Sequence, residues 1–152
     1  MSTRRNLNRI GILLLIMSSA TPLCEGLITP PSSPASRLLE MIVPNGAGGC
    51  SAVALPGVHD ALSAKIFANA GAKALFLSGF GVSACRLGEP DAGVLTLSEM
   101  EDAARSVVSA AGGASGGIPV IVDGDTGYGG GAHIRRAGRG LAAAGAGGRS
   151  SW

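Results

Sequence analysis

An α/β fold on a parallel sheet is predicted by three features of the 152-residue chain. Short apolar runs at 51–55, 74–77 and 118–122 alternate with segments of helical periodicity, giving three β/α units in a row. Strands that alternate with helices imply a parallel sheet. The runs are continuously apolar, which implies that both sheet faces are covered. In such folds function gathers at the C-terminal ends of the strands. The segments to examine are therefore Ser78-Gly79, the loop through Asp91, and 123–129.

Residues 1–24 contain no acid; Arg4, Arg5 and Arg9 precede an apolar run at 10–17, and Ser18, Ser19 and Ala20 follow. That order reads as a targeting leader, a secretory signal or an organellar transit peptide. The run is too short for a bilayer span, which takes about 20 apolar residues. Residues 25–50 read as a linker rich in Pro, Ser and Thr, followed by a short amphipathic helix at 36–42 and a Gly-rich turn at 45–49.

The first strand, 51–55, is broken by Pro56-Gly57. Asp60 then caps a helix, its carboxylate accepting from a free first-turn N–H. Leu62, Ile66, Phe67 and Ala70 fall on one face of that helix, and Gly71 ends it. The second strand, 74–77, ends at Ser78-Gly79, and a long loop runs to Leu95. Thr96 and Glu99 form a capping box, with Leu95 and Met100 at the positions of a hydrophobic staple. Met100, Ala104, Val107, Val108 and Ala111 continue the stripe, and the Gly-rich stretch 112–117 stops it. Pro119 is tolerable at the start of the third strand because the first residues need not donate to the ladder. A final helix is expected from Gly131 to Ala144, with Ile134 and Leu141 inside; Gly138 and Gly140 weaken it by roughly 1 kcal/mol each.

The formal charge is +2, and the arginines are scattered, so no basic stripe argues for nucleic acid. The core has to come from Ala, Val, Leu and Ile, because aromatics are only 3%. Cys24, Cys50 and Cys85 match no metal or redox spacing and read as ordinary small apolar residues.

Asp123 and Asp125 stand two apart at a strand end. If the strand persists there, both side chains point to one side. Two close carboxylates repel unless protonated, hydrogen-bonded or bound to a cation. A hard divalent ion such as Mg²⁺ suits them, since it takes one or two carboxylates and keeps several waters. A plain strand-end turn is the other account, because Asp and Gly are common turn formers. Asp91 alone reads as a turn residue, His59 as structural, and His133 as lying near a helix start.

The run 55–64, Leu-Pro-Gly-Val-His-Asp-Ala-Leu-Ser-Ala, resembles the first strand and helix of the isocitrate lyase/phosphoenolpyruvate mutase superfamily. Runs 77–84 and 87–93 resemble its second strand and loop, and Val-Asp-Gly-Asp-Thr-Gly-Tyr-Gly at 122–129 resembles its metal motif. The resemblance covers roughly residues 35–148. It implies a (β/α)₈ barrel of which 51–148 carries the first three units, with 149–152 an unmatched tail. It implies that Ser78 and Gly79, with Phe80 beside them, bind the carboxylate or phosphonate end of a small 2-oxo acid or phosphonate substrate. Asp123 and Asp125 would hold Mg²⁺, with Asp91 in its outer shell, and the metal would stabilise a pyruvate enolate. The implied reaction is C–C cleavage of the isocitrate or 2-methylisocitrate type; a phosphonomutase of phosphoenolpyruvate or carboxyphosphonoenolpyruvate is the alternative, and an inactive truncated product the third.

Gly124 stands where the family has alanine. After residue 147 the family continues into a strand with a Glu-Asp pair and a Lys-Lys-Cys-Gly-His loop that this sequence lacks; Cys85 lies elsewhere and does not take that cysteine's role. A barrel needs about 250 residues, so the expectation is no substantial turnover by the chain alone. Family members form homo-oligomers by exchanging a late helix that is also absent here.

Overall fold

The computed structural model describes residues 33–42, 52–113 and 116–150, with only the backbone of Arg149. The leader, most of the linker with its Gly-rich turn, Cys24 and Cys50 lie outside the described residues. The elements run α1 (Pro34–Ile42), β1 (Gly57–Val58), α2 (Ala61–Asn69), β2 (Leu75–Leu77), α3 (Gly79–Leu87), α4 (Leu97–Ala110), β3 (Val120–Asp123), α5 (Gly131–Ala143) and β4 (Gly148–Ser150). None of the helices among them is long and apolar enough to cross a membrane.

The strands pair in parallel in the order β1-β2-β3-β4. Right-handed crossovers in an order that never reverses keep the connecting helices on one face. Burial agrees: Leu75, Leu77, Val120 and Val122 are buried, whereas Phe76 and Ile121 between them are only half-buried. The expected cover on both faces is met fully on the α4 side and in part on the other, where Leu38 of α1 and Ile121 meet beside Gly148. The core lies between the sheet and α4, through Met100, Ala104 and Val107, and α4 also packs on α2 and α5.

Four further departures have local causes. The first strand is Gly57–Val58, not 51–55, fixed by Phe76 N–H donating to Pro56 O and Ser78 N–H to Val58 O; an apolar run without alternation carries no register. The loop expected from Ser78 to Leu95 contains α3, opened by Ser78 as N-cap and closed by Gly88 at φ 69°. The expected tail at 149–152 begins with strand, because Gly124 N–H donates to Ser150 O and Gly147 N–H to Val120 O, so the sheet has a fourth strand beyond the three foreseen. The apolar face assigned to α2 points outward: Leu62 is 66% and Ile66 56% exposed, while Ala64 is buried.

The helix ends follow their capping chemistry. Asp60 accepts from Ser63 N–H at 2.7 Å, and the Ser63 hydroxyl accepts from Asp60 N–H at 3.2 Å. Thr96 and Glu99 make the expected box at the start of α4, with Leu95 and Met100 both buried.

Candidate functional site

Register decides which residues meet. Val58 pairs with Leu77 and Leu77 with Val122, so the next residues, His59, Ser78 and Asp123, stand side by side at the C-terminal end of the sheet.

Ser78 caps α3, its hydroxyl accepting from Gly81 N–H at 3.3 Å. Gly79, the first residue of α3, is buried and donates its N–H to Asp123 Oδ2 at 3.2 Å. A helix N-terminus carries free N–H groups and a partial positive charge, which favour an anion; here the anion is the Asp123 carboxylate. A Cβ built on Gly79 would stand 3.2 Å from Asp123 Oδ2, so the missing side chain permits this approach. The other oxygen, Asp123 Oδ1, accepts from Asp125 N–H at 3.1 Å.

The strand does not persist to Asp125. Asp125 adopts φ 47° and Tyr128 φ 58°, with Gly127 at 85° and Gly129 at 138°. Period two therefore does not orient the aspartate pair; the left-handed turn does. A bulky residue at positive φ is a genuine outlier, and such strain clusters at functional sites. Tyr128 is half-buried. Burial first, then the negative charges of Asp125, Asp123 and Asp91, push its phenol well above its ordinary value of 10.0. It stays a neutral donor at physiological pH, and its environment shows that the three aspartates act on one region.

Asp91 itself is exposed, in a bend held by Ser83. The Ser83 hydroxyl is 1% exposed and donates to Glu89 O at 3.0 Å, with Pro90 O at 3.3 Å. Neither Ser83 nor the orientation of Tyr128 was singled out from the sequence. Ser83 had a signal, because Ser78 before and Gly88 after mark a helix whose inner face includes position 83. Phe80 is 60% exposed.

A cleft of about 570 Å³ opens beside this turn, lined by Asp125, Thr126, Tyr128, His133, Arg136 and Glu101 among others. Its size suits a small ligand. Ser78, Gly79, Asp91 and Asp123 are not in its wall. A larger cleft, about 840 Å³, lies at the opposite end of the strands against Leu55, Phe67 and Lys73, away from this chemistry.

The donors at the turn fit Mg²⁺ in kind. They are hard carboxylate oxygens, and neither ion pair among the described residues, Arg86–Asp102 or Arg105–Glu101, draws on them. The three aspartates do not gather into a tight three-ligand group; among the described residues that distinction belongs to His59, Asp60 and Cys85. Mg²⁺ needs only one or two carboxylates and water for the rest, so Asp123 and Asp125 suffice.

Known proteins share this architecture. The family model for phosphoenolpyruvate phosphomutase matches residues 47–150. The chain is 44% identical over 84 residues to 2,3-dimethylmalate lyase of Eubacterium barkeri, covering 55% of this chain and 27% of the relative. It is 41% identical over 127 residues to the chloroplastic carboxyvinyl-carboxyphosphonate phosphorylmutase of Arabidopsis thaliana, covering 84% of this chain and 35% of the relative. It thus spans about a third or less of these curated proteins. Among solved structures, a phosphonopyruvate hydrolase in complex with oxalate and Mg²⁺ superposes with a TM-score of 0.63 at 28% identity, over 76% of this chain and 37% of that one. The chain belongs to the isocitrate lyase/phosphoenolpyruvate mutase superfamily, whose members are lyases, hydrolases and phosphomutases.

Proposed function

We propose that this chain carries the Mg²⁺- and carboxylate-binding part of a (β/α)₈ lyase that cleaves a C–C bond in a small 2-oxo or hydroxy acid of the isocitrate type. The observation that carries the reading is the meeting of Asp123 with Gly79 N–H across the ends of β3 and β2. The singly wound strand order supports the barrel. The lyase identity of the Eubacterium relative supports the reaction class, and oxalate with Mg²⁺ in the hydrolase structure supports the ligand class.

Asp123 and Asp125 would hold the ion, which would supply Lewis-acid stabilisation of an enolate oxygen. Asp123 is anchored for that task by two N–H donors, from Gly79 and Asp125. Ser78 and the first turn of α3 present the substrate carboxylate with N–H groups and the positive end of a helix. Tyr128, held neutral, can donate a hydrogen bond into the cleft. Asp91 contributes negative charge at longer range, kept in place by Ser83.

Oxalate titrated calorimetrically into the full chain tests this. Binding is expected with Mg²⁺, and loss of it with a chelator or in Asp123→Ala, while circular dichroism shows an unchanged fold. Binding that ignores both changes would overturn the reading. The chloroplastic relative supports an organellar route for the leader at 1–24. Residues 1–50 fused to a fluorescent protein are expected to enter a plastid or mitochondrion, and export to the secretory pathway would refute that route.

A further inference from the structure

The geometry points to a second metal site on this chain, formed by His59, Asp60 and Cys85, for a borderline-soft divalent ion of the zinc class. One ligand atom from each side chain lies within 4.8 Å of the other two. The residues come from two elements: His59 and Asp60 follow β1, and Cys85 lies in α3.

Three features of the fold bring them together. Gly81 lies four residues before Cys85, on the same face of α3. A Cβ on Gly81 would stand 2.9 Å from His59 Cβ, so the glycine lets α3 press against His59. One helical turn onward, the same face delivers the Cys85 thiol. The backbone of the other two ligands is pinned as well: the Ser63 hydroxyl accepts from both His59 N–H and Asp60 N–H at 3.2 Å. Asp60 Oδ1 accepts from Ser63 N–H at 2.7 Å, which orients the carboxylate. Supporting bonds of this kind fix metal-ligand orientation.

The ligand set selects the ion. Thiolate, imidazole and carboxylate together suit zinc, whereas Mg²⁺ prefers an all-oxygen shell. Zinc bonds of about 2.0–2.3 Å in a tetrahedron place ligand atoms roughly 3.5 Å apart, so side-chain rotation of about an ångström closes the group. Three protein ligands leave the fourth position for water or a small anion, the pattern of an open zinc site. His59 and Cys85 are exposed, so an ion has direct entry. Binding exchanges the thiol proton for the metal.

Cobalt(II) is the probe, because a cobalt–thiolate bond gives a near-ultraviolet charge-transfer band. Titration of Co²⁺ into the full-length chain is expected to raise that band to saturation, with zinc abolishing it and a large excess of Mg²⁺ leaving it in place. Cys85→Ser is expected to remove the band, which also separates it from Cys24 and Cys50. His59→Ala should weaken apparent affinity at least tenfold. Asp123→Asn should leave the titration unchanged, so failure of this site and failure of the Mg²⁺ site are read independently. Cys85 is exposed and its substitution is not expected to disturb folding; circular dichroism checks each variant. No band in the wild-type chain, a band that survives Cys85→Ser, or displacement of cobalt by Mg²⁺ would each overturn the assignment.

Discussion

Asp123 Oδ2 accepts the Gly79 N–H at 3.2 Å, joining the end of β3 to the start of α3. The same N–H is one that a substrate carboxylate would use. Under the proposed function, an ion drawing on Asp123 would compete with this structural bond, and metal and substrate binding would be coupled through one carboxylate. Gly79→Ala places a methyl 3.2 Å from that oxygen. At the first position of α3 alanine gains only part of the roughly 0.5–1 kcal/mol it holds over glycine in mid-helix, which partly offsets the crowding. The expected outcome is a near-neutral change in urea midpoint with Mg²⁺-dependent oxalate affinity at least tenfold weaker. Equal affinity in calorimetry would show that the contact does not couple them.

Asp125 sits at φ 47°. A left-handed conformation costs a residue with a Cβ roughly 1–2 kcal/mol, and glycine escapes that cost but loses about 0.5–1 kcal/mol through its freer unfolded chain. Asp125→Gly is expected to be slightly more stable, by about 0.5 kcal/mol, and to bind Mg²⁺ more weakly because a carboxylate is gone. A loss of stability by chemical denaturation would mean that the side chain holds the turn, not merely tolerates it.

Tyr128 is the chain's single tyrosine, so phenolate absorbance reads it alone. Its folded pKa is raised above 10.0 by burial and then by Asp125, Asp123 and Asp91. Once pH passes 10.0 the unfolded chain gives up the phenol proton and the folded chain keeps it. The folded state then binds more protons, and stability falls as pH rises. The expected result is a phenolate signal that emerges together with unfolding at alkaline pH, and a Tyr128→Phe chain whose stability is flatter above pH 10.0. Free titration near 10.0 with the fold intact would contradict the burial.

Local chemistry was legible in the sequence where it was self-contained. Asp60 and Thr96 cap their helices as the residue pattern requires, because each cap needs partners only three residues away. The third strand was visible as an apolar run, expected at 118–122 and found at Val120–Asp123, but the strand period expected to align Asp123 with Asp125 gave way to a left-handed turn. What escaped depended on partners far along the chain. The outward face of α2 carries Leu62 and Ile66, and periodicity alone cannot say on which side the sheet lies. Helix α3 hid behind Gly79 and Gly81, whose weak helix propensity is overridden by the close approaches they permit to Asp123 and His59. The fourth strand depends on Gly124 and Val120 as bonding partners, not on any strand preference in Gly148–Ser150.

Ser83 offers the sharpest separation of positioning from binding. Its buried hydroxyl holds Glu89 O and Pro90 O, and Pro90 O also accepts Ala92 N–H at 2.8 Å, so one side chain anchors the near end of the bend around Asp91 and, through Pro90 O, bears on the far end. Glu89 and Pro90 are exposed, so their carbonyls can turn to water when the hydroxyl is removed. The cost of Ser83→Ala should then sit at the low end for a lost hydrogen bond, about 0.5–1 kcal/mol. The bend should loosen far more than the global fold. Hydrogen exchange at Ala92 is expected to accelerate about tenfold while core amides of Val120 and Val122 keep their protection. If Ala92 and the core speed up together, Ser83 supports the fold at large and has no particular hold on Asp91.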